Sequence, residues 1–139
     1  MIDRKDVVTL KTPFPNISSE LAIRSHMYIC HRVKDKTKYF VKCQSIKPYM
    51  LIKNTMNHFL DEQPDIQRNP FKNSTRIDCD KDFYTLNLCY PKRLCTTIRP
   101  DVCEDVIQKV DVALTSDGYD SHSLNEQEML QLNIGIYRT

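Results

Sequence analysis

The chain lacks any run of about 18 apolar residues that would cross a bilayer. Its opening, MIDRKDVVTL, has no continuous apolar stretch of the signal-peptide kind. Neither a membrane span nor a secretory leader is expected, and the reading is of a cytoplasmic protein. Charge of one sign is also missing. Twenty Lys and Arg against 18 Asp and Glu leave a formal charge of +2, which excludes a grip on nucleic acid through bulk charge and confines any such contact to a local patch. No C-x-x-C pair occurs among the six cysteines, and Cys89, Cys95 and Cys103 are separated by five and seven residues. That spacing argues against zinc, and no metal or cofactor is expected. In a reducing compartment the six read as free thiols. Cys30, Cys43 and Cys103 fall in apolar patterns, where a thiol packs as a small hydrophobe. Internal repeats and low-complexity runs are absent. Glycine is nearly so: there are two, and Gly118 in SDGYD marks a break.

What is present fits one domain, since 139 residues with 40% hydrophobic content can bury a real core. DVVTLKT, residues 6–12, is rich in β-branched side chains and stops at Pro13 and Pro15, which remove ladder donors. IRSHMYICHRV, residues 23–33, reads as a second strand. KDKTK makes a polar turn, and YFVKCQSI, residues 39–46, reads as a central third strand of a meander. Residues 47–74, with three prolines and many Asn, read as a long excursion in which MLIKNTMNHFL is compatible with a short helix. TRIDCDKDFYTL returns to strand character, with Thr75, Ile77 and Cys79 facing one way and Arg76, Asp78 and Asp80 the other. A further strand is expected near residues 93–98.

RPDVCEDVIQKVDVAL spaces Val102, Cys103, Val106, Ile107, Val110, Ala113 and Leu114 at threes and fours, one apolar stripe on a helix. Pro100 suits its first position, and Asp101, Glu104 and Asp105 suit the positive end of the helix dipole. In the tail, Ser123 and Glu126 have capping-box spacing, while Ile134, Ile136 and Tyr137 suit an edge strand. The expected fold is mainly β with α, a small barrel with a C-terminal helix packed on the sheet.

In this order, DVVTL, SSELAIRSHMYIC, TRIDCDKDF and CEDVIQKVDVAL resemble the first strand, the loop and second strand, a later strand and the closing helix of the MazF/PemK family of toxin endoribonucleases. Ser25 stands where that family has a proline after its arginine. The resemblance spans about residues 5–114. It implies an SH3-like barrel over residues 1–114 carrying the long insertion 47–74, followed by an extension, 115–139, to which it assigns no role.

The resemblance further implies metal-independent cleavage of single-stranded RNA. The family's arginine at the start of the second strand matches Arg24, and its hydroxyl at the end of the third matches Ser45. Cleavage without metal sends the RNA 2′-hydroxyl against the adjacent phosphate, so the protein must move protons and stabilise charge on phosphoryl oxygens. A guanidinium supplies fixed donors for those oxygens. His26, two residues from Arg24 and roughly 6–7 Å away along one strand face, is the natural proton carrier near neutral pH.

RNA contact falls to Phe14, Asn16, Ser19 and Glu20 in the first loop, to Lys47 and Tyr49 in the excursion, and to Arg76. A slip of one residue in register would turn Arg76 away. The implied partners are single-stranded RNA, a small antitoxin filling the RNA groove, and a second copy in a homodimer. Two alternatives stay open: a non-catalytic barrel that binds protein or nucleic acid, and an enzyme with a cysteine nucleophile. Cys30 beside His31 is the one adjacent Cys and His, and neighbours in a strand face opposite ways.

Overall fold

The computed structural model describes residues 1–13, 24–53, 56–116 and 118–139. β1 (Val7–Lys11), β2 (Ser25–Lys34) and β3 (Thr37–Ser45) form the antiparallel meander. The turn from β2 to β3 is Asp35 and Lys36, both at positive φ, 50° and 70°. Two left-handed residues match the right-handed twist of the strands they join.

β3 is central, as its mixed pattern predicts. Beyond β2, its C-terminal half pairs with β5 (Thr75–Asp78) and its N-terminal half with β6 (Lys81–Tyr84). Between Arg99 and the helix that follows, the chain is extended. Pro100 O accepts from Val7 N–H at 2.9 Å, and the N–H groups of Val102 and Cys103 are given to Lys5 O and Arg68 O. The helix therefore starts at Glu104, not at Pro100: α2 is Glu104–Thr115.

Two other expectations change. The excursion holds a helix, α1 (Pro48–Ile52), and also an edge strand, β4 (Phe59–Glu62), antiparallel to β5. Around residues 93–98 there is no strand; a 3-10 helix, Lys92–Leu94, leads into a single bridge between Cys95 and Val8. After α2, β8 (Asp120–Ser123) joins the sheet parallel to β6, and α3 (Glu126–Leu132) is capped by Asn125, whose Oδ1 accepts from Glu128 N–H at 3.0 Å, rather than by Ser123. β9 (Tyr137–Arg138) pairs with β7 (Leu88–Cys89) in a small second sheet.

The chain is thus mainly β with a few helices. Among the described residues the seven-stranded sheet runs β1-β2-β3-β5-β4 and remains open, with no pairing between β1 and β4. Each face of it carries its own core. α2 lays Val106, Ile107, Val110 and Leu114 on Val7, Ile29, Val41 and Ile77; full burial of such a side chain contributes about 1.5–3 kcal/mol. The other face sets Leu10, Tyr28, Phe40 and Phe83 against Tyr90, Leu124 and Met129. The Tyr28 ring meets Phe40 and Phe83 edge-on at 6.5 and 6.3 Å. Residues 118–139 therefore complete this second core. Asn133 ties them to the sheet: its Oδ1 accepts from Lys11 N–H at 2.7 Å and its Nδ2 donates to Lys11 O at 2.8 Å.

Candidate functional site

A cleft of about 220 Å³ opens where β2 begins and β3 ends. Pairing of Met27 with Cys43, and of Ser45 with Thr75, puts Ser25, Met27, Cys43, Ser45 and Thr75 on the α2 face of the sheet. Met27, Cys43 and Phe71 form its apolar floor, and Ser25, Ser45, Lys72, Asn73 and Thr75 its polar rim. Thr75 Oγ1 donates to Asn73 O at 2.9 Å. The cleft is rich in hydroxyl and amide groups and carries the Lys72 cation, a set suited to accepting and donating hydrogen bonds around an anionic or sugar-like ligand.

Arg24 is exposed and directly precedes Ser25. His26 also borders the cleft, but strand alternation directs its ring to the opposite face, beside Lys42 and Tyr28. Its Nδ1–H donates to the Arg24 carbonyl at 3.1 Å, since a carbonyl oxygen only accepts. Burial and the nearby Lys42 cation lower the imidazole below its ordinary 6.5, so the ring is neutral at neutral pH. Ser25 and Ser45 are thus brought to one place; Arg24 precedes β2 and is not among the residues that line the cleft, and the His26 ring is separated from Ser45 by the sheet.

Arg76 is 4% exposed, and its guanidinium is committed inside the fold. It donates to both Asp61 carboxylate oxygens, Nε to Oδ1 at 2.8 Å and Nη2 to Oδ2 at 2.9 Å, and through Nη1 to Met50 O at 3.2 Å. Its Cζ lies 4.1 Å from the Phe59 ring centroid. Register places it there: Arg76 pairs with Asp61 across β5 and β4. Lys47 and Tyr49 are exposed where the chain leaves β3 for α1. Phe14, Asn16, Ser19 and Glu20 lie outside the described residues.

Burial pushes the Cys30 and Cys79 thiols up to about 12 and raises Cys43 as well. Such thiols are not nucleophilic at neutral pH. Among the described residues no group of three or more His, Cys, Asp or Glu is arranged to hold a metal ion, and no helix is long and apolar enough to cross a membrane.

Sequence reasoning missed a second polar cluster. His31 and Asp82, both buried, share a 2.7 Å hydrogen bond across 51 residues of chain. The signal that exposes it is structural: a register shift between Cys30 and Arg32 leaves His31 without a Cα partner in β3. No family model, curated protein or solved structure matches the chain.

Proposed function

We propose that this protein is a MazF/PemK-type endoribonuclease of SH3-like ancestry, a toxin that cuts single-stranded RNA without metal and is silenced in the cytoplasm by an antitoxin. The observation that carries the reading is the convergence of Ser45 with Ser25, the residue following Arg24, on one cleft. The two positions singled out by resemblance are 21 residues apart in sequence; the meander supports the reading by setting Ser25, next to Arg24 in the chain, beside Ser45. In this mechanism the Arg24 guanidinium stabilises charge building on the phosphoryl oxygens, and the Ser45 hydroxyl and Lys72 add a donor and a cation. His26 acts as a positioning residue, its ring N–H holding the carbonyl of Arg24. As the 2′-oxygen bonds to phosphorus and the bond to the 5′-oxygen breaks, water takes the 2′-hydroxyl proton and water protonates the departing 5′-oxygen. Lys47 and Tyr49 receive the RNA strand beyond Ser45, and the functional unit is a homodimer.

One observation favours a second reading, a nucleic-acid-binding module without catalysis. The described rim offers hydroxyl, amide and ammonium groups, while the His26 imidazole lies across the sheet from Ser45. No carboxylate or facing imidazole then takes the 2′-hydroxyl proton. Incubating the protein with long single-stranded RNA in excess chelator, beside Arg24→Ala and Ser45→Ala, decides between them. Specific cleavage that both substitutions reduce supports the enzyme. Binding without cleavage, weakened by Arg24→Ala, supports the module, and RNA neither bound nor cut contradicts both.

A further inference from the structure

We infer that the cavity beside the His31–Asp82 pair is a binding site for a small oxyanion-bearing molecule of the phosphate monoester class. Cys30 pairs with Phe40 and Arg32 with Tyr39, so His31 is the extra residue of a β-bulge. A bulge re-aims the side chains around it. Here two consecutive residues reach the same cavity: His31 meets the Tyr119 ring edge-on at 5.8 Å, and the Arg32 guanidinium sits over Tyr39, its Cζ 4.0 Å from the ring centroid. Both line a cavity of about 310 Å³ that also takes in Arg4, Asp111, Leu114 and Tyr119. That volume falls at the lower end of small-molecule pockets, roughly 300–1,000 Å³.

The polar groups around the cavity are poised for a ligand with acceptor oxygens. Asp82 is fully buried and its carboxylate only accepts, so the 2.7 Å contact fixes a proton on His31 Nε2 and leaves Nδ1 as the ring's remaining acceptor, in a residue that lines the cavity. Arg32 Nε, buried beside it, has no hydrogen-bond partner among the described residues, and neither has Asp82 Oδ1. Orphaned buried donors cost free energy unless something accepts from them. A phosphate oxygen would accept from the Arg32 guanidinium that lines the cavity, and the hydroxyl of a monoanionic phosphate would donate to His31 Nδ1, the first contact being of the charge-assisted kind at which a guanidinium excels.

The charged groups at the imidazole and around its cavity come from four elements: Asp82 on β6, bonded to the ring, and Arg32 on β2, Asp111 on α2 and Arg4 in the N-terminal segment, lining the cavity with it. Arg4 is ion-paired to Asp111 and, at 3.8 Å, to Glu104. Tyr119 and Leu114 supply a wall for an organic body. The site involves none of the residues assigned to RNA cleavage and does not depend on that reading.

The test records imidazole NMR signals of the full chain at pH 6 while titrating inorganic phosphate, a nucleoside 5′-monophosphate and the nucleoside alone. Saturable shifts of His31 with phosphate or the monophosphate are expected, the stronger response telling whether the free ion or its ester is the ligand. Arg32→Gln, which keeps a polar stem on Tyr39, should weaken binding by about tenfold or more with an unchanged thermal midpoint. Arg24→Ala should leave it intact. The inference is overturned if His31 does not respond to either phosphate compound at millimolar concentration, if the nucleoside binds as well as its monophosphate, or if Arg32→Gln binds like the wild type.

Discussion

Replacing Asn133 with alanine removes the side chain that fastens the C-terminal segment to the edge of the sheet. Three hydrogen bonds go with it: from Lys11 N–H at 2.7 Å, to Lys11 O at 2.8 Å and to Met129 O at 3.0 Å. Each is worth about 1 kcal/mol net. Lys11 is exposed, so water can re-solvate its freed backbone groups, and the total should fall near the lower end, about 2 kcal/mol. With a urea dependence of about 2 kcal/mol per molar, the unfolding midpoint should drop by about 1 M. Asn133→Asp keeps the acceptor but sets a buried carboxylate oxygen against the Lys11 and Met129 carbonyls, so at pH 7 it should be at least as destabilised as alanine. Urea unfolding followed by circular dichroism reads both. A midpoint for Asn133→Ala within about 0.2 M of wild type would refute the idea that this side chain, rather than the apolar contacts of Met129 and Ile136, anchors the segment.

The other expectations concern the helix and two titrating groups. Ile107→Ala, at a fully buried position on α2, should cost about 2–5 kcal/mol. Val112→Ala, 68% exposed on the same helix, should stay within about 0.5 kcal/mol in the same urea assay. Burial alone would raise the Asp80 carboxyl, but the backbone N–H groups of Asn57 and His58 at 2.8 Å and the His58 ring at 3.2 Å together hold it below its ordinary value. A carboxyl depressed by folding stabilises fully above about pH 4 and loses that contribution as pH falls through its folded value. Asp80→Asn should therefore be less stable than wild type at pH 7, with the gap closing in urea melts repeated near pH 2. The His26 imidazole should titrate below 6.5 by NMR, and its contribution to stability should fade as the pH falls through that lower value. A pKa at or above 6.5 would contradict its burial beside Lys42.

How much of this was legible in the sequence depends on the signal each element carries. β1 to β3 show through their β-branched and apolar composition between prolines and polar turns, and α2 through its strong 3.6-residue apolar stripe. The start of α2 does not show. Pro100 and Asp101 carry helix-start chemistry, but tertiary hydrogen bonds to Val7, Lys5 and Arg68 hold residues 100–103 extended. β4 was hidden because FLDE lacks alternation and draws its partner from Thr75–Asp78. At the candidate site, the position of Ser45 at the end of the third strand was legible. The direction of the His26 ring relative to Ser45 was not legible, because whether two strands set given residues on one face is a matter of register. Arg76 reads as a surface cation, and only its pairing with Asp61 reveals a buried one. His31 was passed over for a related reason: a bulge is a property of pairing, and nothing in YICHRV announces it.

The most direct measurement is the fate of a long single-stranded RNA incubated in chelator with the wild type, Arg24→Ala and Ser45→Ala, each shown folded by its urea midpoint and free of co-purified antitoxin. The account predicts discrete cleavage products from the wild type, with loss of about a hundredfold or more in rate for Arg24→Ala and a smaller loss for Ser45→Ala. RNA left intact by the wild type, or cut equally by all three proteins, would contradict it.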